Sequence, residues 1–71
     1  MKNPFQEKTN SEIIHLINEY IHSERDRYIA KRKLVDNISH EEISGELNID
    51  PSTVKRAVQR DIMIIKEALQ R

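Results

Sequence analysis

The chain has 71 residues, no cysteine, and 12 basic against 12 acidic side chains. This length allows one domain at most, and the lack of cysteine excludes disulfides and thiolate metal sites. No apolar run reaches the length of a membrane span or a secretory signal, so we expect a cytoplasmic protein. One Gly, two Pro and no sustained period-two alternation predict an all-α fold without a glycine-rich phosphate loop.

The sequence begins with a polar stretch, which predicts a flexible segment over residues 1–9 unless Phe5 docks on the rest of the chain. A helix over about residues 11–22 follows. Asn10 or Ser11 can accept the free N–H groups of its first turn. Its apolar residues recur at helical spacing and fill one arc of roughly 160°. They are Ile13, Ile14, Leu16, Ile17, Tyr20 and Ile21.

The second predicted helix covers about residues 24–36 and is the most basic part of the chain. Ser23 and Asp26 have the spacing of a capping box at its start. Asn37 tolerates the left-handed conformation that ends many helices. The predicted core contacts are Tyr28, Ile29, Leu34 and Val35. The basic residues are Arg25, Arg27, Lys31, Arg32 and Lys33.

The third predicted helix is short and covers residues 40–47. The run from Ser39 to Glu42 is a full capping-box pattern. Its apolar face consists of Ile43 and Leu47, and we expect the helix to pack on the core through these two residues.

A turn at Asn48 and Ile49 separates this helix from the last one, which is predicted over residues 51–69. Asp50 can cap that helix, and Pro51 occupies the first helical position, where its missing N–H has no cost. The residues predicted to face the core are Val54, Ala57, Val58, Ile62, Ile65 and Leu69.

A short helix, a tight turn and a second helix are the parts of a helix-turn-helix. The sequence therefore predicts a small helix-turn-helix domain over residues 10–71, made of four helices with a long C-terminal recognition helix. Ser44 is small enough for the two helices to pass closely, and Ile49 fills the corner. A local basic surface can attract nucleic acid even when the net charge is zero.

The outer face of the last helix carries hydrogen-bond donors, cations and an amide, and no acid. Such groups contact phosphates and base edges in a major groove. The alternative is an ordinary solvated face. The predicted DNA-binding residues of this helix are Ser52, Thr53, Lys55, Arg56, Gln59 and Arg60. From the second helix, Lys31, Arg32 and Lys33 are predicted to reach phosphates, or else to form a solubilising basic patch.

The run ERDRYIAKRKLVDNISHEEISGELNIDPSTVKRAVQRDIMIIKEAL resembles the promoter-reading C-terminal region, region four, of bacterial sigma factors. The resemblance implies a tri-helical domain that places residues 52–60 in the major groove of promoter DNA. Asn37 and Asn48 stand where this family commonly has Gly, and Lys31 and Arg32 where it is more apolar. The other sigma regions are not seen, so the resemblance favours a small sigma-like regulator of phage or mobile-element type.

Two classes of function remain after this reading. The first is a sequence-specific DNA-binding regulator of transcription, and the second is a protein-interaction module, such as a sigma-like decoy that binds RNA polymerase without reading DNA. An enzyme is not expected, because no nucleophile–base pair or phosphate loop stands out. His15, Glu19 and His22 share a helical face, but no fourth ligand is implied, so neither a metal nor a cofactor is expected.

Residues 62–65 are four consecutive apolar residues, which cannot all face one side of a helix. Met63 and Ile64 are expected to point away from the core. Exposed apolar surface of this kind commonly marks a partner. Either the first helix covers this surface or a second copy of the chain does, and the second alternative predicts a homodimer through Met63, Ile64 and the first helix.

Overall fold

The computed structural model describes residues 8–70, and in this range the chain forms four helices. These are α1 (Asn10–Tyr20), α2 (Glu24–Leu34), α3 (His40–Leu47) and α4 (Pro51–Leu69). Helix α4 packs against each of the other three, and α2 also packs against α1 and α3. The predicted all-α architecture with a long C-terminal helix is confirmed.

The start of α1 differs from the prediction. The N-cap is Thr9, the last residue of the predicted flexible segment, and the predicted caps Asn10 and Ser11 are already helical. The Thr9 hydroxyl accepts from the Glu12 backbone N–H at 3.2 Å, and Glu12 Oε1 accepts from the Thr9 N–H at 3.3 Å. This reciprocal pair is a capping box. It also lowers the pKa of the Glu12 carboxyl, mainly through the hydrogen bond from the Thr9 backbone. The prediction about Phe5 lies outside the described residues.

The other helix starts use only part of their predicted caps. The Ser23 and Ser39 hydroxyls accept from the backbone N–H groups of Asp26 at 3.4 Å and Glu42 at 3.2 Å. The return bonds expected from the Asp26 and Glu42 carboxylates are not formed with these caps. Asp50 makes no side-chain cap bond either. Because Asp26 is turned inward, its carboxylate has a different role, described below.

Two asparagines adopt the left-handed conformation, and both lie where the sequence predicts the end of a helix or a turn. Asn37 has φ of 58° and Asn48 has φ of 57°. Helices α1 and α2 each end two residues before their predicted limits. After α2, the chain turns back so that the Ile38 N–H donates to the Arg32 carbonyl at 3.0 Å. Two asparagines therefore take the positions for which glycine is the commonest choice.

The core consists of two clusters that share α4. The first lies between α1, α2 and α4, and the second lies between α2, α3 and α4. Ile62 is half-buried and packs against both clusters. The buried members of the first are Ile13, Ile17, Ile21, Ala30 and Ile65. The buried members of the second are Ile29, Ile43, Val54, Ala57 and Val58.

Two predicted core residues are in fact exposed. Tyr28 is 40% exposed, and its hydroxyl donates to Glu46 Oε1 at 2.7 Å. Leu69 is 42% exposed because α4 continues beyond Ile65, its last buried residue. Leu34 and Val35 pack against the first cluster and remain half-buried. The core is thus smaller than the apolar pattern suggested.

Candidate nucleic-acid interface

The N-terminal half of α4 presents its polar residues outward. Lys55, Arg56 and Gln59 are exposed, whereas Val54 and Ala57 on the opposite side are buried. None of the three exposed side chains makes a hydrogen bond or an ion pair with another described residue. The structure places Ser52 on the same exposed part of the helix and leaves Thr53 half-buried. The predicted face is therefore accessible.

The corner between α3 and α4 fixes this orientation. Asn48 has φ of 57° and ψ of 45°, and its backbone N–H donates to the Ser44 carbonyl. The Ile49 N–H also donates to the Ser44 carbonyl, at 3.0 Å, while its side chain packs on the second cluster. Pro51 then begins α4. The two helices are distinct elements, so the predicted helix, turn and helix are all present.

Beside this face, lysines from two other helices act on the imidazole of His40. Partial burial is the first cause that lowers the pKa of the His40 imidazole, and the charges of Lys33 and Lys55 lower it further. Lys33 belongs to α2, His40 opens α3 and Lys55 lies on α4. None of these three side chains forms an ion pair with a described residue. We call Lys33, His40 and Lys55 the basic triplet.

The guanidinium of Arg32 is bonded to two carboxylates of the protein itself. Its Nε donates to Glu46 Oε1 at 3.0 Å, a second nitrogen bonds Glu46 Oε2, and Nη1 donates to Asp36 Oδ2 at 3.1 Å. These bonds raise the pKa of Arg32 and lower that of Glu46, while the bond to Glu46 raises the pKa of Tyr28. Arg32 and Tyr28 thus connect α2 to α3 through Glu46. The position of these residues in the sequence did not predict this role.

Arg60 and Lys31 differ in their surroundings. Arg60 was predicted to reach a phosphate, but its Nη2 donates to Asp26 Oδ2 at 2.7 Å, across to α2. Its side chain is still 56% exposed. Lys31 is half-buried and has no ion pair with a described residue. Of the nine predicted contact residues, Arg32 and Arg60 therefore already have acidic partners.

Asp61, next to this face in the sequence, is a buried acid that none of the sequence-based predictions includes. It is 1% exposed and lies on the buried side of α4 between Val58 and Ile65. The spacing of Val54, Val58, Asp61 and Ile65 follows the helical repeat of the core face. This spacing indicates a buried position for Asp61, whereas the apolar pattern predicts Ile62 as the core residue of this turn.

The outer face of α1 shows no assembled metal site. Within residues 8–70, no group of three or more His, Cys, Asp or Glu side chains is placed to hold a metal ion. In the same range no helix combines the length and apolar character required to cross a membrane. His15, Glu19 and His22 are all exposed.

The chain was compared with protein-family models, with curated proteins and with solved structures. None of the three comparisons gave a match.

Proposed function

We propose that this protein is a sequence-specific DNA-binding regulator of transcription, in which α3 and α4 form the helix-turn-helix and α4 enters the major groove. The observation that carries the proposal is the exposed face of Lys55, Arg56 and Gln59, which has no described partner inside the protein. Arginine, lysine and glutamine are side chains that contact base edges and phosphates in such a groove.

The basic triplet supports the same proposal. Lys33, His40 and Lys55 come from three helices, and the two lysine charges add to partial burial in disfavouring the protonated form of His40. A phosphate next to them relieves that repulsion, because its negative charge favours the protonated imidazole and both ammonium groups. DNA backbone contacts of this kind position a helix-turn-helix and carry no sequence information themselves.

The distribution of ion pairs explains how a chain of zero net charge can act in this way. The Glu46 and Asp36 carboxylates are bonded by Arg32, and Asp26 is bonded by Arg60. These acids are therefore neutralised locally. Lys55 and Arg56 have no such acid partner among the described residues, so the local field at the outer face of α4 favours an anion.

The resemblance to sigma region four suggests that the regulator is small and sigma-like and works in the cytoplasm beside RNA polymerase. A module that binds RNA polymerase without reading DNA is the second candidate. The exposed apolar residues of α1 and α4 favour a protein contact of some kind, since Met63 is 57% and Ile64 38% exposed.

The same apolar residues underlie a proposed homodimer. Tyr20 and Ile64 line a shared groove between α1 and α4, with Glu67 and Ala68. A second copy of the chain would cover this groove and relate two DNA-contacting helices by a two-fold axis. Sedimentation at micromolar concentration is expected to show a dimer that dissociates in an Ile64→Lys variant. A wild-type monomer at these concentrations contradicts the proposal.

Selection from a random pool of duplex oligonucleotides tests the proposed function directly. The wild-type protein is expected to enrich one short sequence, at a stated salt concentration because phosphate contacts weaken as salt rises. Enrichment of no sequence, together with retention of RNA polymerase in a nuclease-treated pull-down, would favour the second candidate.

A further inference from the structure

Asp61 is a buried acid whose carboxylate lacks the partners that burial normally requires. It is 1% exposed, and neither of its carboxylate oxygens has a hydrogen-bond partner among the described residues. A buried carboxylate without donors is far less stable as an anion than as the neutral acid. The position therefore favours a carboxyl group that keeps its proton.

A second buried acid lies in the first turn of α2, close enough for its charge to act on Asp61. Asp26 is 8% exposed, and its Oδ2 accepts from Arg60 Nη2 at 2.7 Å. Arg25 Nη2 lies 3.7 Å from Asp26 Oδ1 without forming a hydrogen bond to it. One oxygen of Asp26 is thus also a buried acceptor with no described donor.

We propose that Asp61, together with Asp26, forms a buried proton-binding site between α4 and α2, and that release of this proton weakens the packing of the two helices. The added proton supplies an O–H donor in a region where three carboxylate oxygens have no donor among the described residues. Loss of the proton leaves a second negative charge in the same interface, with the Arg60 guanidinium already bonded to Asp26. Proton binding and helix packing are therefore linked.

The charged groups around Asp61 set the direction of its pKa. Burial is the largest cause and the Asp26 charge the second, and together they raise the pKa of Asp61 to about 7 from its ordinary value of 3.8. Arg60 on α4 and Arg25 on α2 act in the opposite direction. Because the native pKa is raised, the folded state holds a proton that the unfolded state releases. The resulting stability is complete below pH 3.8 and is lost as the pH rises to about 7.

The inference goes beyond the proposed function, because it concerns the protein without any partner. It does, however, involve the helix that carries the proposed DNA-contacting face. Asp61 follows Gln59 and Arg60 directly in α4. A change in the packing of this part of α4 therefore acts next to that face.

Urea unfolding of the wild type and an Asp61→Asn variant across pH tests the proposal. The Asn amide has a similar shape and does not titrate. We expect the wild-type unfolding constant, relative to that of the variant, to rise about tenfold per pH unit between roughly pH 5 and pH 6.5. The ratio is expected to level off above roughly pH 8, when the carboxyl has lost its proton.

An exposed acid outside the proposed dimer surface provides the matched control. Glu41→Gln removes one carboxylate from the exposed side of α3, and its unfolding constant is expected to follow the wild type at every pH. Parallel pH profiles for Asp61→Asn and the wild type would overturn the proposal.

A direct measurement on the wild type covers the case in which Asp61→Asn fails to fold. The NMR signal of the Asp61 side-chain carboxyl carbon is expected to titrate at a pH well above the pH at which the exposed acids of the chain titrate. Titration together with those acids would contradict the proposed site. Neither readout involves DNA, so a failure here is distinguishable from a failure of the proposed DNA-binding function.

Discussion

A Lys55→Ala/Arg56→Ala double variant is expected to lose DNA binding and retain its helical signal. Both side chains are exposed, and neither forms a hydrogen bond or an ion pair with a described residue, so their removal takes no such bond from the fold. Single contacts of this kind are worth about 1–3 kcal/mol each, which corresponds to a combined loss of affinity of about 30-fold or more. Titration of a selected duplex, with circular dichroism on the same samples, measures both quantities.

A second double variant distinguishes the effect of where the charges lie from the effect of losing two charges. Lys8→Ala/Lys66→Ala also removes two positive charges, but from sites away from the α3–α4 corner. We expect a small loss of affinity, since general electrostatic attraction is nonspecific. If Lys55 and Arg56 both contact phosphate, their removal lowers the salt slope by about two. Equal losses of DNA affinity in the two double variants would show that the outer face of α4 is not part of the DNA interface.

An Ile43→Ala variant is expected to be largely unfolded or close to it. Ile43 is fully buried in the second cluster, where it joins α3 to Ile29 and Val54. Truncating a buried isoleucine costs roughly 2–5 kcal/mol, and total stability in a small domain is about 5 kcal/mol or little more. The midpoint of urea unfolding is expected to fall by about half or more.

The same substitution at Ile64 serves as the control for this loss. Ile64 is 38% exposed, so Ile64→Ala leaves little cavity and is expected to shift the midpoint only slightly. Both variants are compared at one low protein concentration, because Ile64 also belongs to the proposed dimer surface. Similar midpoints for Ile43→Ala and the wild type would show that α3 is not anchored by this residue.

The helices were predictable because local signals marked both their ends and their inner faces. Asn48 and Pro51 defined the corner before α4, and the 3.6-residue repeat identified Val54 and Ile65 as buried. These signals depend on neighbours in sequence. The start of α1 was displaced because Thr9 and Asn10 are both good caps, and only the return bond from Glu12 distinguishes them.

The partners of the charged residues could not be predicted in the same way. Arg32 and Glu46 are 14 positions apart, and Arg60 and Asp26 are 34 apart. Their pairing depends on how α2 packs against α3 and α4, which no local pattern encodes. For the same reason, the sequence did not distinguish the paired Arg32 and Arg60 from the unpaired Lys55 and Arg56. All four are basic residues predicted to lie on outer helix faces, but Lys55 and Arg56 have no acid partner among residues 8–70.

The position of Ile62 against both core clusters has a consequence for how the molecule loses its structure. Since α4 contributes side chains to each cluster, neither half has a complete interior of its own. Melting is therefore expected to be all-or-none, with the backbone amides in the buried middle of α4 exchanging only through global opening. A partner that docks on the outer side of α4 meets a preordered surface and incurs little entropic penalty for rigidifying it.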